Sequence, residues 1–308
     1  MSESPWRTLL PGQVSRVCIF DTHTDRVSVV LENADVIVEA PNWHPRSNEL
    51  VVNADGRLYR IAPGATGLGE PVEAGTVTDA NNDHVLSPDG STAYISARDG
   101  HLYAAPLDGG QARRVSNEHP EPFAYYLHGV SPDGSTLAYI GHNRTEGTFD
   151  VYTVPAAGGP DTRVTVTRAH HDGAEYTRDG TRLLVNSERN STLPGHSQLF
   201  SLALNGGDVR QLTTDERVNW FPHANPVTEQ IVYLSYLPGT TGHPANREVE
   251  LRLLETPDAH PRVLRTLLGG QGTINVNSWS PDGRYFAFVE YPLAADTTEP
   301  DPQKVATS

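Results

Sequence analysis

The stretch SPDGSTAYISA at 87–97 decides the fold. Its first four residues recur at 131–134 and 280–283, a relative (TRDG) begins at Thr177, and weaker cognates start at His44 (HPRS) and Asn225 (NPVT). Successive starts lie 43, 44, 46, 48 and 55 residues apart. A period of about 40–50 residues with four short strands per unit is the signature of propeller blades. The turn chemistry agrees. Proline at the second position presets φ for a type I turn, aspartate accepts local backbone hydrogen bonds, and glycine closes the turn.

Outward from each turn runs a β-rich segment: TAYISA, TLAYIG, RLLVNS, QIVYLS and YFAFVEY. A third strand follows (HLYAAPL, FDVYTVP, SQLFSLA, VELRLLE), then in three units a Gly-rich hairpin (DGG, AGG, NGG) and a fourth strand such as ARRVS, TRVTV or VRQLT. The alternation within these runs is that of strands packed between neighbouring sheets. Six units fit. The last has strands expected at 274–280 and 285–291 and then runs out, while RVCIFD (16–21) and RVSVVLE (26–32) stand unused at the start of the chain. Joining them removes the exposed edges of an open array. This predicts an all-β, six-bladed β-propeller over 15–292, its ring closed by N-terminal strands completing the last blade. A lead at 1–14 precedes it, and a polar, Pro-bearing tail at 293–308 is expected to be disordered.

Composition narrows the function. With 308 residues and a formal charge of −15, the chain lacks the basic footprint that nucleic acid or an anionic membrane needs as partner. The lone Cys18 excludes an intramolecular disulfide and a thiolate zinc site. No apolar run is long enough for a signal-peptide core or a membrane helix, so a soluble, cytoplasmic protein is expected. Searches for GxSxG, HExxH, GxxxxGK[ST] and a dinucleotide fingerprint are negative, so no nucleotide cofactor is expected.

Several longer strings, NNDHVLSPDG, YLHGVSPDG, NWFPH and GGQGTINVNSWSPDG, resemble a bacterial branch of TolB-like propellers, distantly similar to oligogalacturonate lyases. The resemblance spans roughly 15–292 and implies the same six-bladed fold. Lyases of this architecture hold manganese on a clustered Gln/His motif. That motif is not found in this sequence, so no ligand set is carried over.

Strand geometry locates the polar residues. The SPDG turn joins the first and second strands of a blade at one face of the disc, so the start of the first strand lies on the opposite face. His84, His101, His119, His128, His142, His170, His171, His196, His223 and His243 fall on that opposite face, and only His23, His44 and His260 on the turn face. The inner strands begin with polar and aromatic groups that can converge on the axis: Asn42, Asn82-Asp83-His84, Tyr126 to His128, His170-His171-Asp172 with Glu175, Asn219 to His223, and Asn275 to Asn277. Imidazoles and carboxylates so placed suit proton transfer near neutral pH or a divalent metal such as Mn, Zn or Ca.

The expected catalytic set is His84, His128, His223, Asp83 and Glu175, with the three histidines as alternative metal ligands. Asn42, Asn82, Tyr126, Arg144, Arg189, Trp220, Asn275 and Asn277 are the expected substrate contacts. The plainest alternatives are that His84 and His128 form a repeated packing contact and that Trp43, Trp220 and Trp279 pack between blades. Asp89, Asp133, Asp179 and Asp282 repeat with the turns and read as structural. The loop 238–247, with His243, is placed to overhang the mouth. The functional expectation is an enzyme acting on a small polar, carbohydrate-like substrate by lyase or isomerase chemistry. The alternative is a non-catalytic propeller that binds a ligand or a protein partner on the same face.

Overall fold

A computed structural model describes residues 7–293 as strands and turns, with no helix among them. Residues 1–6, and the expected tail from 294 onward, lie outside the described residues. Blade 1 is β3 (Val38–Trp43), β4 (Leu50–Ala54) and β5 (Arg57–Ile61). Blade 2 is β6 (Ala80–Leu86), β7 (Thr92–Ala97), β8 (Leu102–Pro106) and β9 (Arg113–Arg114). Blade 3 runs β10 (Phe123–Val130), β11 (Thr136–Asn143), β12 (Thr148–Pro155) and β13 (Thr162–Arg163). Blade 4 comprises β14 (His171–Tyr176), β15 (Arg182–Ser187), β16 (Gln198–Ala203) and β17 (Arg210–Gln211). Blade 5 comprises β18 (Val218–Ala224), β19 (Ile231–Tyr236), β20 (Arg247–Leu254) and β21 (Arg262–Gly269).

The last blade closes the ring. β22 (Tyr285–Glu290) pairs antiparallel with β1 (Ser15–Asp21), which pairs with β2 (Arg26–Asn33). Arg16 of β1 reaches Glu290 of β22 at 3.1 Å, so charge as well as register joins the two ends of the chain.

Two details of strand content differ from the sequence reading. The fourth strands of blades 2, 3 and 4 are only two residues long, and blade 1 has a single bridge from Tyr59 to Pro71 in that place. The inner strand expected at 274–280 is irregular and keeps only the Trp279–Phe286 bridge. Its backbone still meets β22 through Ala287 N to Ser278 O and Val289 N to Thr273 O. The reason lies in the sequence GGQGTINVN: Gly270 and Gly272 adopt φ of 113° and 88°, which turns the chain before a ladder can form.

The SPDG turns behave as their chemistry dictates. Ser87 and Ser131 donate to Asp89 and Asp133 at 2.6 Å, and the same carboxylates accept from the backbone of Ser91 and Ser135. The core is divided among the seams between blades. One cluster joins blades 5 and 6 around Trp220, Phe221, Trp279 and Phe286, and another joins blades 2 and 3 around Val85, Tyr94, Leu127 and Tyr139. Each large side chain buried this way contributes roughly 1.5–3 kcal/mol, which is how a modest apolar content holds the ring.

Every regular inner strand carries a register shift: Glu39/Asn42, Ala80/His84, Leu127/Gly129, Asp172/Glu175 and Trp220/His223. In three of them the extra residue has a left-handed backbone, at Ala40, Gly173 and Phe221, with φ of 50°, 65° and 54°. Such bulges re-aim the side chains that follow. In a ring of six strands they bring alternating polar residues onto the axis.

Candidate functional site

On the face opposite the SPDG turns, the axis is surrounded by Asp83 of blade 2, His128 of blade 3, Asp172 of blade 4 and His243 from the loop of blade 5. His128 is 2% exposed. Its Nδ1 donates to the Asn275 carbonyl at 3.3 Å, and its Nε2 stands 2.8 Å from Asp172 Oδ1. The second contact is out of line with the N–H, so it acts as an ion pair more than as a hydrogen bond. The other Asp172 oxygen lies 3.7 Å from His243 Nε2.

Electrostatics separates the two carboxyls. Burial would raise Asp172, but the neighbouring His128 and then His243 hold it down at about 2. Asp83 is pushed up to about 6, first by burial and further by the charge on Asp172, with His128 opposing. Burial disfavours the imidazolium of His128, yet Asp172 and Asp83 hold its pKa up at about 9. His243, half-buried against aromatic rings, is shifted below its usual value by the desolvation of that contact. The mouth therefore pairs a fixed ion pair with a carboxyl and an imidazole whose protons are less firmly held.

Asparagine and glutamine frame the cluster. Asn81 donates to Asp83 Oδ2 at 3.1 Å. Gln271 donates to Asn82 Oδ1 at 3.1 Å, and its own Oε1 accepts from Asn275 Nδ2 and from His243 Nδ1. Tyr126 has its pKa raised by burial and lies beside Arg144 at the rim, where Arg144 is exposed and Arg189 half-buried. The His243 ring centroid lies 4.6 Å from that of Trp220, and His170, Phe149 and His142 continue the row of ring contacts outward, edge-on or tilted except for the stacked pair His142–Phe149. Trp220 is 1% exposed, so it meets a substrate only if His243 swings away.

A second polar group lies inside the ring. Glu175 Oε1 accepts from Ala224 N and Asn277 Nδ2, both at 2.7 Å, and Oε2 faces His223 Nδ1 at 2.6 Å. His223 Nε2–H donates to the Ile274 carbonyl at 2.7 Å, so both ring nitrogens are held by acceptors. His128 and His223 thus hold the consecutive carbonyls of Ile274 and Asn275, the segment where blade 6 lacks its inner strand. Asn42 and Asn277 face the other way, into a funnel that opens between the SPDG turns.

The expected metal trio does not form. His84 is fully buried, with Nε2 against the Val51 carbonyl in the seam between blades 1 and 2, and burial lowers its pKa to about 4. Both nitrogens of His128 and of His223 are engaged by protein acceptors. Among the described residues no group of three or more His, Cys, Asp or Glu side chains is placed to hold a metal ion. Of the expected contacts, Asp83, His128, Asn82, Tyr126 and Asn275 gather at the mouth with Arg144 at its edge, whereas His223, Glu175, Asn42 and Asn277 belong to the interior and the funnel. Sequence reasoning offered Asp172 only as one of three carboxylates that could orient the histidines, and gave Gln271 no role. The signals for them were HHD at 170–172 and GGQG at 269–272, each a polar residue beside a backbone-permissive glycine.

Comparison with known proteins agrees with this architecture. No protein-family model matches the chain. The uncharacterized protein Atu1656 of Agrobacterium fabrum is 34% identical over 281 residues, covering 90% of this chain and 92% of that protein. A structure solved as a candidate TolB from Agrobacterium tumefaciens superposes with a TM-score of 0.84 at 34% identity, over 91% of this chain and 99% of that one. TolB from Acinetobacter baumannii (TM-score 0.54, 14% identity, 91% of this chain and 63% of that one) shares the fold alone. So does an oligogalacturonate lyase in complex with manganese (TM-score 0.51, 13% identity, 85% and 75%). Among the described residues no helix is long and apolar enough to cross a membrane. With a relative of such identity matched almost end to end, the chain belongs to the TolB-like family of β-propellers.

Proposed function

We propose that the chain is an enzyme that takes a small polar, carbohydrate-like molecule at the axial mouth and moves a proton next to a carbonyl or carboxylate, as lyases and isomerases do. The observation that carries this reading is the split between Asp83 and Asp172. Two carboxyls flank one imidazolium, yet one stays ionised while the other titrates at about pH 6. Pairs driven apart in this way mark acid–base assignments. Asp83 is the proton acceptor, His128 with Asp172 supplies a fixed positive and negative pair that orients the substrate, and Gln271, Asn82 and Asn275 hold hydroxyl groups. No step is routed through a metal, because among the described residues no group of three or more His, Cys, Asp or Glu side chains is placed to hold one.

The test is proton exchange. Aldoses, ketoses and uronides incubated with the protein in deuterated buffer are followed by proton NMR at the carbon next to the carbonyl. Exchange is expected to rise through about pH 6 and to vanish in Asp83→Asn. A substrate panel that shows saturable binding without exchange at any pH supports the second reading, a non-catalytic binding propeller, which the full engagement of His128 and His223 favours. Neither binding nor exchange overturns both.

A further inference from the structure

The face that bears the SPDG turns holds a second feature, which reaches down the axis as far as His128 and Glu175. All six blades contribute to an axial funnel of about 400 Å³. Its walls are apolar and flat: Trp43, Trp279 and Tyr176, with the turn prolines Pro88, Pro132 and Pro281. Two of the lining side chains have a polar atom without a hydrogen-bond partner, Asn42 and His128, and the His128 nitrogen is paired ionically with Asp172. Asn42 is 3% exposed and its Nδ2 donates to the Asn277 carbonyl at 3.0 Å, while its Oδ1 has no partner. A flip of the amide would set oxygen against the Asn277 carbonyl, so the orientation is fixed and the bare atom is an acceptor.

The charged groups that line it are spoken for, beginning with His128, which stands 2.8 Å from Asp172. Glu175 faces three nitrogens, from Ala224, Asn277 and His223, and the guanidinium of Arg178 donates to the Val227 carbonyl at 2.9 Å. A concave, mainly apolar pocket with a few convergent polar groups, the charged ones already paired, suits a small molecule more than an ion. A buried acceptor without a partner costs about 1–3 kcal/mol that a ligand donor can recover.

We infer that this funnel is a second ligand site, for an uncharged flat aromatic molecule that carries one hydroxyl or N–H donor to Asn42 Oδ1. The ring lies between the tryptophans and the prolines, and the donor points down the axis. This reading does not depend on any chemistry at the opposite mouth.

The probes are 2-naphthol and its methyl ether, 2-methoxynaphthalene, which have the same ring system with and without the donor. Binding to the full chain is measured by titration calorimetry and by saturation-transfer NMR. The naphthol is expected to bind about ten-fold or more tightly than the ether. Asn42→Leu should bring the two affinities together, and Val130→Trp, which fills the funnel from its wall, should abolish both. Failure of the naphthol to bind, equal affinities in the unaltered chain, or undiminished binding to Val130→Trp overturns the proposal. Should Asn42→Leu fail to fold, the naphthol-to-ether ratio in the unaltered chain and the Val130→Trp result decide it.

Discussion

His84 and His128 stand at the same place in the repeat, three residues before the serine of SPDG, and the fold uses them in opposite ways. In blade 2 the register shift falls earlier, between Ala80 and His84, so His84 pairs in step with Ile95 and points into the seam with blade 1. In blade 3 the shift falls between Leu127 and Gly129, so His128 is itself the extra residue and turns to the axis. Strand side chains alternate with period two, so moving a bulge by a residue or so exchanges a packing histidine for a functional one. The environments then diverge. One imidazole is held neutral by burial, and the other is held charged by two carboxylates.

The sharpest way to break the comparison is to place leucine at both positions. His128→Leu strips the buried carboxylates of Asp172 and Asp83 of their counter-ion and is expected to cost about 3 kcal/mol or more. His84→Leu replaces a weakly bonded ring that has a bare Nδ1, so it is expected to change stability by less than about 1 kcal/mol. Denaturant unfolding of the two variants measures both, and equal losses would show that the two sites are alike after all.

A pH series separates the same two residues. Folded His128 keeps its proton to about pH 9, against 6.5 for the ordinary side chain. Its stabilisation is therefore whole below pH 6.5 and fades as pH rises toward 9. His84 and His171 resist protonation down to about pH 4, so their burial lowers stability as pH falls from 6.5 toward 4. Melting temperature should thus decline on both sides of about pH 6.5. Asp172→Asn should flatten the alkaline limb and His84→Leu should soften the acid one. An unchanged alkaline limb in Asp172→Asn would remove the ion pair from the account.

A second pair of equivalent positions lies one residue further along. Gly129 has its partner in Val85 of blade 2, which carries a side chain without difficulty. A Cβ at 129 would sit 2.7 Å from the Ala174 carbonyl, because the bulge draws blades 3 and 4 together there. Gly129→Ala is expected to cost about 1–3 kcal/mol, and Val85→Ala only the methyl groups it removes. Thermal melts of the pair distinguish the two.

Legibility in the sequence followed the range of the forces involved. The SPDG turns, the blade period and the use of residues 16–32 to close the ring could all be read, because turn chemistry and strand alternation are local. Asp83, His128, Asn82, Tyr126 and Asn275 could be nominated, because each opens an inner strand. The metal grouping of His84, His128 and His223 could not survive, since it depended on three bulges that no single blade announces. Asp172 and Gln271 gained their places only when blades 4 and 6 met blades 2 and 3 across the axis.

The amino-acid sequence by itself thus determined the number of blades and their turns, which arise from contacts within some fifty residues, and the way the ring closes, which follows from counting the strands left over at the two ends of the chain. The tertiary structure alone decided which histidine faces the axis, which carboxyl is pushed up toward 6 and which amide is left bare in the funnel. Those outcomes turn on where each bulge falls and on the charges that other blades bring to the same buried layer, where low polarity magnifies every neighbour.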